Sequence, residues 1–417
     1  MALPNSSPVP INEDRLLERI AELAQIGKIE GTKGSSRLAF SDADREGRDL
    51  VVTWMRDLGL TVTIDAVGNV VASTHTDGAA GAVMAGSHID TVGTGGRYDG
   101  NLGVLAGLEV IEAAIAMGVE LKRPLAVAFF SNEEGSRYPP DMMGSLAYVG
   151  GMSVEAVLEV EGVDGTVVGE ELERIGYRGS SPCPGAAPHA FVELHIEQGP
   201  VLDKEDIQIG IVEEVQGISW TELTLTGQSN HAGTTPMSLR HDPMRVAAEV
   251  VVAARSIATE MGGTQVATVG SLHLHPNLVN VVPATATMTV DLRNTDEALL
   301  KVAEAQLRDR VAALVEDEGL KVESRSLARF EPVEFDSRVV DRIEQLAQQT
   351  GLTTKRMPSG AGHDAQMMAR ICPTGMIFVP SLDGISHNPA EHTDDADLVA
   401  GAQLLSDTML ALTEVDW

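Results

Sequence analysis

The sequence predicts an α/β protein in which a larger, discontinuous domain with a mostly parallel sheet is interrupted by an inserted α+β unit. Three observations lead to that class. Short apolar runs of strand character alternate with amphipathic helical stretches over residues 1–214, the pattern that builds a parallel sheet with crossover helices. From about Val215 the texture changes to half-exposed, alternating strands and two long amphipathic helices, and after about residue 330 the first texture returns. The 417 residues also exceed what one hydrophobic core usually organises. The predicted boundaries are therefore 1–214 and 330–417 for the two parts of the larger domain and 215–329 for the insert.

Taken in order, Leu16, Leu17, Ile20, Leu23 and Ala24 recur at helical spacing after a capping residue, Asn12. Leu50, Val51, Trp54, Met55 and Leu58 do the same after Ser41. "TVTIDAVGNVVAS", "AVMAGS", "PLAVAFFS" and "AFVELHIE" read as strands, with the helix "VLAGLEVIEAAIAMG" between the second and third. In the insert, "ISWTELTLTGQ" and "ATATMTVDLRN" alternate like strands covered on one face, so two strand regions and two helices, "DPMRVAAEVVVAARSIATEM" and "DEALLKVAEAQLRDRVAALVEDEG", make the small unit. "RVVDRIEQLAQQTG" and "TGMIFVPS" resume the helix and strand pattern.

Composition bounds the function. Hydrophobic residues make up 43% and aromatics only 3%, so the core is built from aliphatic side chains. A formal charge of -31 argues against nucleic acid or an anionic membrane as partner, because both repel an acidic surface. A small anionic substrate stays open, since salt screens charges beyond roughly 8 to 10 Å and one arginine suffices to hold a carboxylate. Cys183 and Cys372 have no framework or CxxC spacing, no apolar run reaches membrane length, and the opening "MALPNSSPVPINEDRL" lacks a signal segment. A cytoplasmic protein is expected.

The chemistry concentrates at strand ends. "AGSHIDTVGTGGRYDGNLGV" places His88, Asp90 and Asp99 in a glycine-rich loop, whose usual tenants are a phosphate, a metal ion or nothing. A phosphate fits poorly, because neither GxGxxG nor GxxxxGK[ST] is present and no lysine is near. "PLAVAFFSNEEG" ends in Glu133 and Glu134, at the carboxyl edge where α/β sheets bind ligands, although paired glutamates are also common as solvated turns. Strand alternation puts Glu193, His195 and Glu197 on one face of an apolar segment, where they need water, partners or a metal. "DGISHNPAEHTDD" adds His387 and His392. Together His88, Asp99, Glu134, His195 and His387 form a borderline ligand set suited to Zn²⁺ or Mn²⁺, and a shared Asp bridges two ions roughly 3.5 to 4 Å apart.

The blocks "GSHIDTVGTGGRYDGNLGVLAGLEVI", "FFSNEEGSRYPPDMMGS", "ELHIEQGPVL", "GQSNHAGTTPM", "NLVNVVPATATMTVDLRN", "SGAGHDAQMMA" and "ISHNPAEHT" resemble, in that order, the N-carbamoyl-L-amino acid hydrolase and allantoate amidohydrolase group. That group belongs to the superfamily of dinuclear zinc aminoacylases and carboxypeptidases, and the resemblance runs from about residue 15 to residue 410. It implies that His88 and His195 hold one ion, Glu134 and His387 the other, and that Asp99 bridges them. Either zinc or manganese, cobalt or nickel suits the set. Glu133 falls on the general base and Asp90 on a carboxylate that orients an imidazole. The inserted unit resembles a lid or dimerisation domain, which implies a homodimer. Its His231 matches a histidine that donates to the developing oxyanion in a partner subunit's site, and Gln198, Asn280 and Arg293 match substrate contacts. Arg293 reads as the carboxylate clamp, with a salt bridge to Asp291 as the plain alternative. Binding is then expected to require closure about Val215–Gly217 and Leu327–Pro332.

Three functions remain in play. The first is hydrolysis of the ureido C–N bond of N-carbamoyl-L-amino acids to L-amino acid, carbon dioxide and ammonia. The second is the same chemistry on allantoate, ureidoglycolate or N-carbamoyl-β-alanine, small ureido carboxylates that the motifs do not separate. The third is a metal-binding protein without catalysis, against which the presence of Glu133 argues.

Overall fold

The computed structural model describes residues 9–76 and 78–417, so the reading of the N-terminus lies partly at residues 1–8, outside the described residues. The chain divides into two compact units, one made of the N-terminal part up to Glu213 together with Phe335–Trp417, the other of Glu214–Glu334. The architecture is a mixed α/β fold with a mostly parallel sheet at the centre of the first unit.

Four fully buried strands make that centre, in the order Leu125–Phe130, Val83–His88, Ala190–Ile196 and Thr374–Val379. They run parallel, with His88 beside Phe130 and Val379 beside Ile196. Burial on both faces explains why each reads as an unbroken apolar run. Antiparallel strands extend the sheet at both ends, Val70–Ser73 next to Leu125–Phe130 and Ile209–Val215 next to Thr374–Val379. Helices Asn101–Ala116, Ser337–Gln349 and Asp395–Thr413 pack on the central strands, as does the short helix Asp364–Met368, against which Met143–Tyr148 packs in turn. Asn12 and Ser41 do cap the first two helices, each accepting the backbone N–H three residues on, from Arg15 and Asp44. Among the described residues no helix is long and apolar enough to cross a membrane.

Two element readings need correction. "TVTIDAVGNVVAS" is a hairpin of Thr61–Ile64 and Val70–Ser73, not one strand. The Asp65 carboxylate accepts the N–H groups of Val67 and Asn69, a side-chain turn that breaks the run in its middle. In the second unit the sheet has four antiparallel strands, in the order Lys321–Phe330, Gly217–Thr226, Thr285–Asn294 and Val266–His275. Val266–His275 and Lys321–Phe330 went unread because they are the sheet's edges and carry mainly exposed or half-buried side chains, which weakens the apolar signal. One face of this sheet is covered by helices Pro243–Met261 and Glu297–Glu318 around Leu225, Val250, Ile257, Met288 and Leu300. A separate pair, Asn230–His231 with Val281–Val282, lies in the same unit.

Candidate metal centre

The parallel strands all deliver their polar groups at one edge. His88 ends its strand, Ser131 to Glu134 follow Phe130, His195 is the penultimate residue of Ala190–Ile196, and the chain after Val379 leads to His387. Among the described residues three groups of ligand atoms form there, one of Glu193, His195 and His363 and two that share an aspartate, His88, Asp99 and His195 in the first and Asp99, Glu134 and His387 in the second. Asp99 belongs to both and divides its oxygens between them. Its Oδ1 lies 3.6 Å from His88 Nε2 and 3.2 Å from His195 Nε2. Its Oδ2 lies 3.3 Å from His387 Nε2, which is also 3.3 Å from Glu134 Oε2.

These separations fit a metal better than hydrogen bonds. Two bonds of about 2.05 Å at a tetrahedral angle hold their donor atoms about 3.3 Å apart, whereas charge-assisted hydrogen bonds close to about 2.8 Å. The tautomers agree. His88 Nδ1–H donates to the Asp90 carbonyl at 2.9 Å and His195 Nδ1–H to the Ile196 carbonyl at 2.8 Å, which leaves both Nε2 atoms as acceptors on the Asp99 side, where His195 Nε2 also accepts the Gly100 N–H at 3.2 Å. Charge agrees as well. Burial, with Asp99 next to it, pushes the Glu134 carboxyl up to about 8, and burial with Glu193 nearby does the same to Asp364. A buried excess of carboxylates calls for cations.

The local backbone is built for this arrangement. Gly100 has φ +67, and a side chain there would collide with the His88 ring, so only glycine lets the Asp99 loop close on the imidazole. Asn132, Gln198 and His387 take left-handed conformations at φ 54, 59 and 53, of the strained kind that gathers at functional sites. Glu134 Oε1 accepts the Val92 N–H at 3.2 Å, which turns Oε2 to His387.

Glu133 sits beside the first group, its Oε2 3.3 Å from His88 Nε2. Burial lifts its carboxyl well above the ordinary glutamate range, Asp364, Glu134 and Asp90 push the same way, and His88 opposes them. Asp90 departs from expectation. Its carbonyl, not its carboxylate, orients His88, while the carboxylate accepts the Glu133 and Glu134 N–H groups at 3.3 Å each and so fixes the acidic pair. The side chain that follows a strand-end histidine by two residues is turned under the neighbouring strand's end instead.

The other residues of the strand face in "AFVELHIE" have separate duties. Glu193 accepts the Ser87 hydroxyl at 2.6 Å and the Ala365 N–H at 2.7 Å, and Glu197 accepts the N–H groups of Val201 and Leu202 at the start of a helix. His392 pairs with Asp394. Gln198 Nε2 donates to Asp99 Oδ2 at 2.9 Å, and its Oε1 is buried without a hydrogen-bond partner.

In the second unit, His231 Nδ1 accepts the N–H groups of Gly233 and Thr234, so the neutral ring carries its proton on Nε2 as a donor. The Asn280 carbonyl accepts the Ala232 N–H, which brings Asn280 next to His231. Arg293 forks onto Asp291, with Nε 3.1 Å from both carboxylate oxygens and Nη2 2.9 Å from one.

Sequence reasoning missed Glu391. It is buried, its Oε1 accepts the N–H groups of Tyr98 and Asp99, and its Oε2 accepts the Ser386 hydroxyl. Its only signal was its place four residues after His387 in an acidic, polar stretch.

The model of peptidase family M20/M25/M40 matches residues 84–411, the whole span from the first strand of the site to the last helix. The chain belongs to this family. Within it, an N-carbamoyl-L-amino-acid amidohydrolase of Rhizobium meliloti is 37% identical, covering 97% of each chain. The allantoate amidohydrolase of Escherichia coli K12 is 35% identical over 92% of this chain and 93% of its own. The crystal structure of an amidase of the hydantoinase/carbamoylase family from Burkholderia multivorans superposes with a TM-score of 0.90 at 42% identity, over 98% of this chain and 100% of its own. The M20 architecture thus accounts for the mixed sheet with its parallel centre.

Proposed function

We propose that this M20 family member is an amidohydrolase that cleaves the ureido C–N bond of N-carbamoyl-L-amino acids, giving the L-amino acid, carbon dioxide and ammonia. The observation that carries the proposal is Asp99 shared between two ligand groups with Glu133 beside one of them, in a chain whose full-length relatives include enzymes named for that substrate. His88, Asp99 and His195 would hold one divalent ion and Asp99, Glu134 and His387 the second, either zinc or manganese, cobalt or nickel. Such ions supply a Lewis acid and lower the pKa of water towards about 7.

The residues do the rest. Glu133, its carboxyl raised by burial, takes the proton of the attacking water and returns it to the departing nitrogen. The carbamate then falls apart to carbon dioxide and ammonia. Gln198 Oε1, a buried acceptor without a partner, takes up a ureido N–H. His231 donates from Nε2 to the developing oxyanion, and Asn280 and Arg293 hold the carboxylate, Arg293 exchanging Asp291 for it.

The second unit serves as lid and dimerisation domain in this reading. Val251 and Val252 are exposed on helix Pro243–Met261, and Val266–His275 is a sheet edge with unpaired backbone groups, features that suit a homodimer. Two free cysteines suit a cytoplasmic location.

A second reading, the same chemistry on allantoate or a related ureide, draws on the Escherichia coli relative. Ammonia release from N-carbamoyl-L-amino acids, their D-isomers, N-carbamoyl-β-alanine, allantoate and ureidoglycolate separates the two, with Glu133→Gln as control. Turnover of the L-carbamoyl compounds supports the first reading, turnover of the ureides alone supports the second, and silence across the panel overturns both.

A further inference from the structure

Arg37 lies in the loop between helices Glu13–Leu23 and Asp42–Asp57, in a part of the sequence that carries no recognised chemistry, and its side chain is fully buried. A buried guanidinium normally faces a carboxylate. This one hydrogen-bonds three backbone carbonyls and one carboxamide instead. Nε donates to the Ile89 carbonyl at 2.7 Å, Nη2 to Asn101 Oδ1 at 2.7 Å, and Nη1 to the carbonyls of Leu23 and Ile26 at 3.2 and 3.0 Å. The backbone is tied in too, since the Arg37 N–H donates to Thr91 Oγ1 at 2.8 Å and the Thr91 N–H to the Arg37 carbonyl at 2.9 Å.

The choice of partners matters. Ile89 follows His88 directly, and Asn101 is two residues past Asp99. One rigid plane therefore holds both ends of the loop that joins the first histidine of the site to the shared aspartate, and braces them against the end of the first helix. His88 Nε2 and Asp99 Oδ1 stand 3.6 Å apart, longer than a hydrogen bond, so the placement of the backbone that carries them contributes to their spacing. Asp90, in the same loop, feels the Arg37 charge as well. Burial lowers the guanidinium to about 10, which leaves it protonated at neutral pH.

We propose that Arg37 is a positioning residue that sets the affinity of the His88, Asp99 and His195 group for a divalent cation by fixing both ends of the loop between His88 and Asp99. The proposal rests on the reading of that group as a metal site. It requires the planar fork and not merely a positive charge, because a lysine ammonium has no geometry that reaches the Ile89 carbonyl and Asn101 together.

The test is a calorimetric titration with Mn²⁺ of the full chain after chelator treatment, with far-UV circular dichroism and thermal midpoints for every variant. Arg37→Lys keeps the charge, Asn101→Ala cuts one end of the loop from the fork, and the double variant closes a cycle. Glu109→Gln is the control, since it weakens the buried pair with Arg15 in the same unit without touching the loop. The expected result is Mn²⁺ affinity about 10- to 100-fold weaker in Arg37→Lys and Asn101→Ala, as for other groups that orient ligands. The double variant should be little worse than the weaker single, and Glu109→Gln should bind as wild type even where its thermal midpoint falls further. Unchanged affinity in folded Arg37→Lys overturns the proposal, as does an equal loss in Glu109→Gln. A wild-type chain that takes up no Mn²⁺ overturns the metal reading itself and this assignment with it.

Discussion

Replacing Glu391 is predicted to cost the larger unit both stability and metal affinity, in an order set by what each variant leaves unpaired. The carboxylate is 2% exposed and accepts three hydrogen bonds, from the Tyr98 N–H at 3.0 Å, the Asp99 N–H at 3.3 Å and the Ser386 hydroxyl at 3.0 Å. Gly96 gives it room, since any side chain at that position would overlap the carboxylate. In Glu391→Ala two buried backbone donors lose their acceptor at about 1 to 3 kcal/mol each, so about 2 to 6 kcal/mol in all. Glu391→Gln keeps one carbonyl oxygen for those donors and offers an amide to Ser386, whose hydroxyl still reaches Asp99 Oδ2 at 3.2 Å, so it should cost about 1 kcal/mol. Urea unfolding of the chelator-treated chain gives the ranking, and Mn²⁺ titration shows whether the Asp99 and His387 loops loosen with it. An alanine variant within about 0.5 kcal/mol of wild type, or no worse than the glutamine variant, would refute the reasoning.

Other consequences can be measured alongside. Glu133→Gln should lower kcat by about 10²- to 10⁴-fold while leaving Mn²⁺ uptake intact, because it removes the proposed base and keeps the shape. A variant that loses metal and activity together would place Glu133 among the ligands instead. Chelation should make stability depend on pH in one direction. Glu134 is raised to about 8 against an ordinary 4.5 and His387 to about 9 against 6.5, so in both cases the folded chain holds protons that the unfolded chain has lost. The metal-free protein should therefore lose stability as pH rises from about 4.5 through 9, and the loaded protein should show little of that slope; thermal midpoints across this range decide it. Arg293→Lys should raise KM for an N-carbamoyl-L-amino acid about 10- to 100-fold, since a bidentate carboxylate contact becomes a single one; a fall in kcat at unchanged KM would count against the clamp.

Much of the fold was legible because its elements announce themselves. Asn12 and Ser41 have the residue type and the following apolar period of helix caps, and both accept the expected N–H. The central strands are buried on both faces and read as apolar runs. Edge strands such as Lys321–Phe330 are mostly exposed and carry no such run, and the turn at Asp65 depends on a side-chain hydrogen bond that periodicity does not register. The same divide runs through the site. Histidines and carboxylates at strand ends stood out by type and place, and the family resemblance grouped them. Arg37, Glu391 and the Asp90 carbonyl act through hydrogen bonds across 50 or more residues, or through backbone atoms common to every residue, and no local pattern marks either kind.

The central claim is that Asp99 is shared by two divalent ions. Crystals of the protein grown with Mn²⁺, or with Zn²⁺, and measured at the absorption edge of the metal test it most directly. Two anomalous peaks are predicted, one among His88, Asp99 and His195 and the other among Asp99, Glu134 and His387, about 3.5 to 4 Å apart. A single peak away from Asp99, or a peak in the neighbouring group of Glu193, His195 and His363, would contradict it.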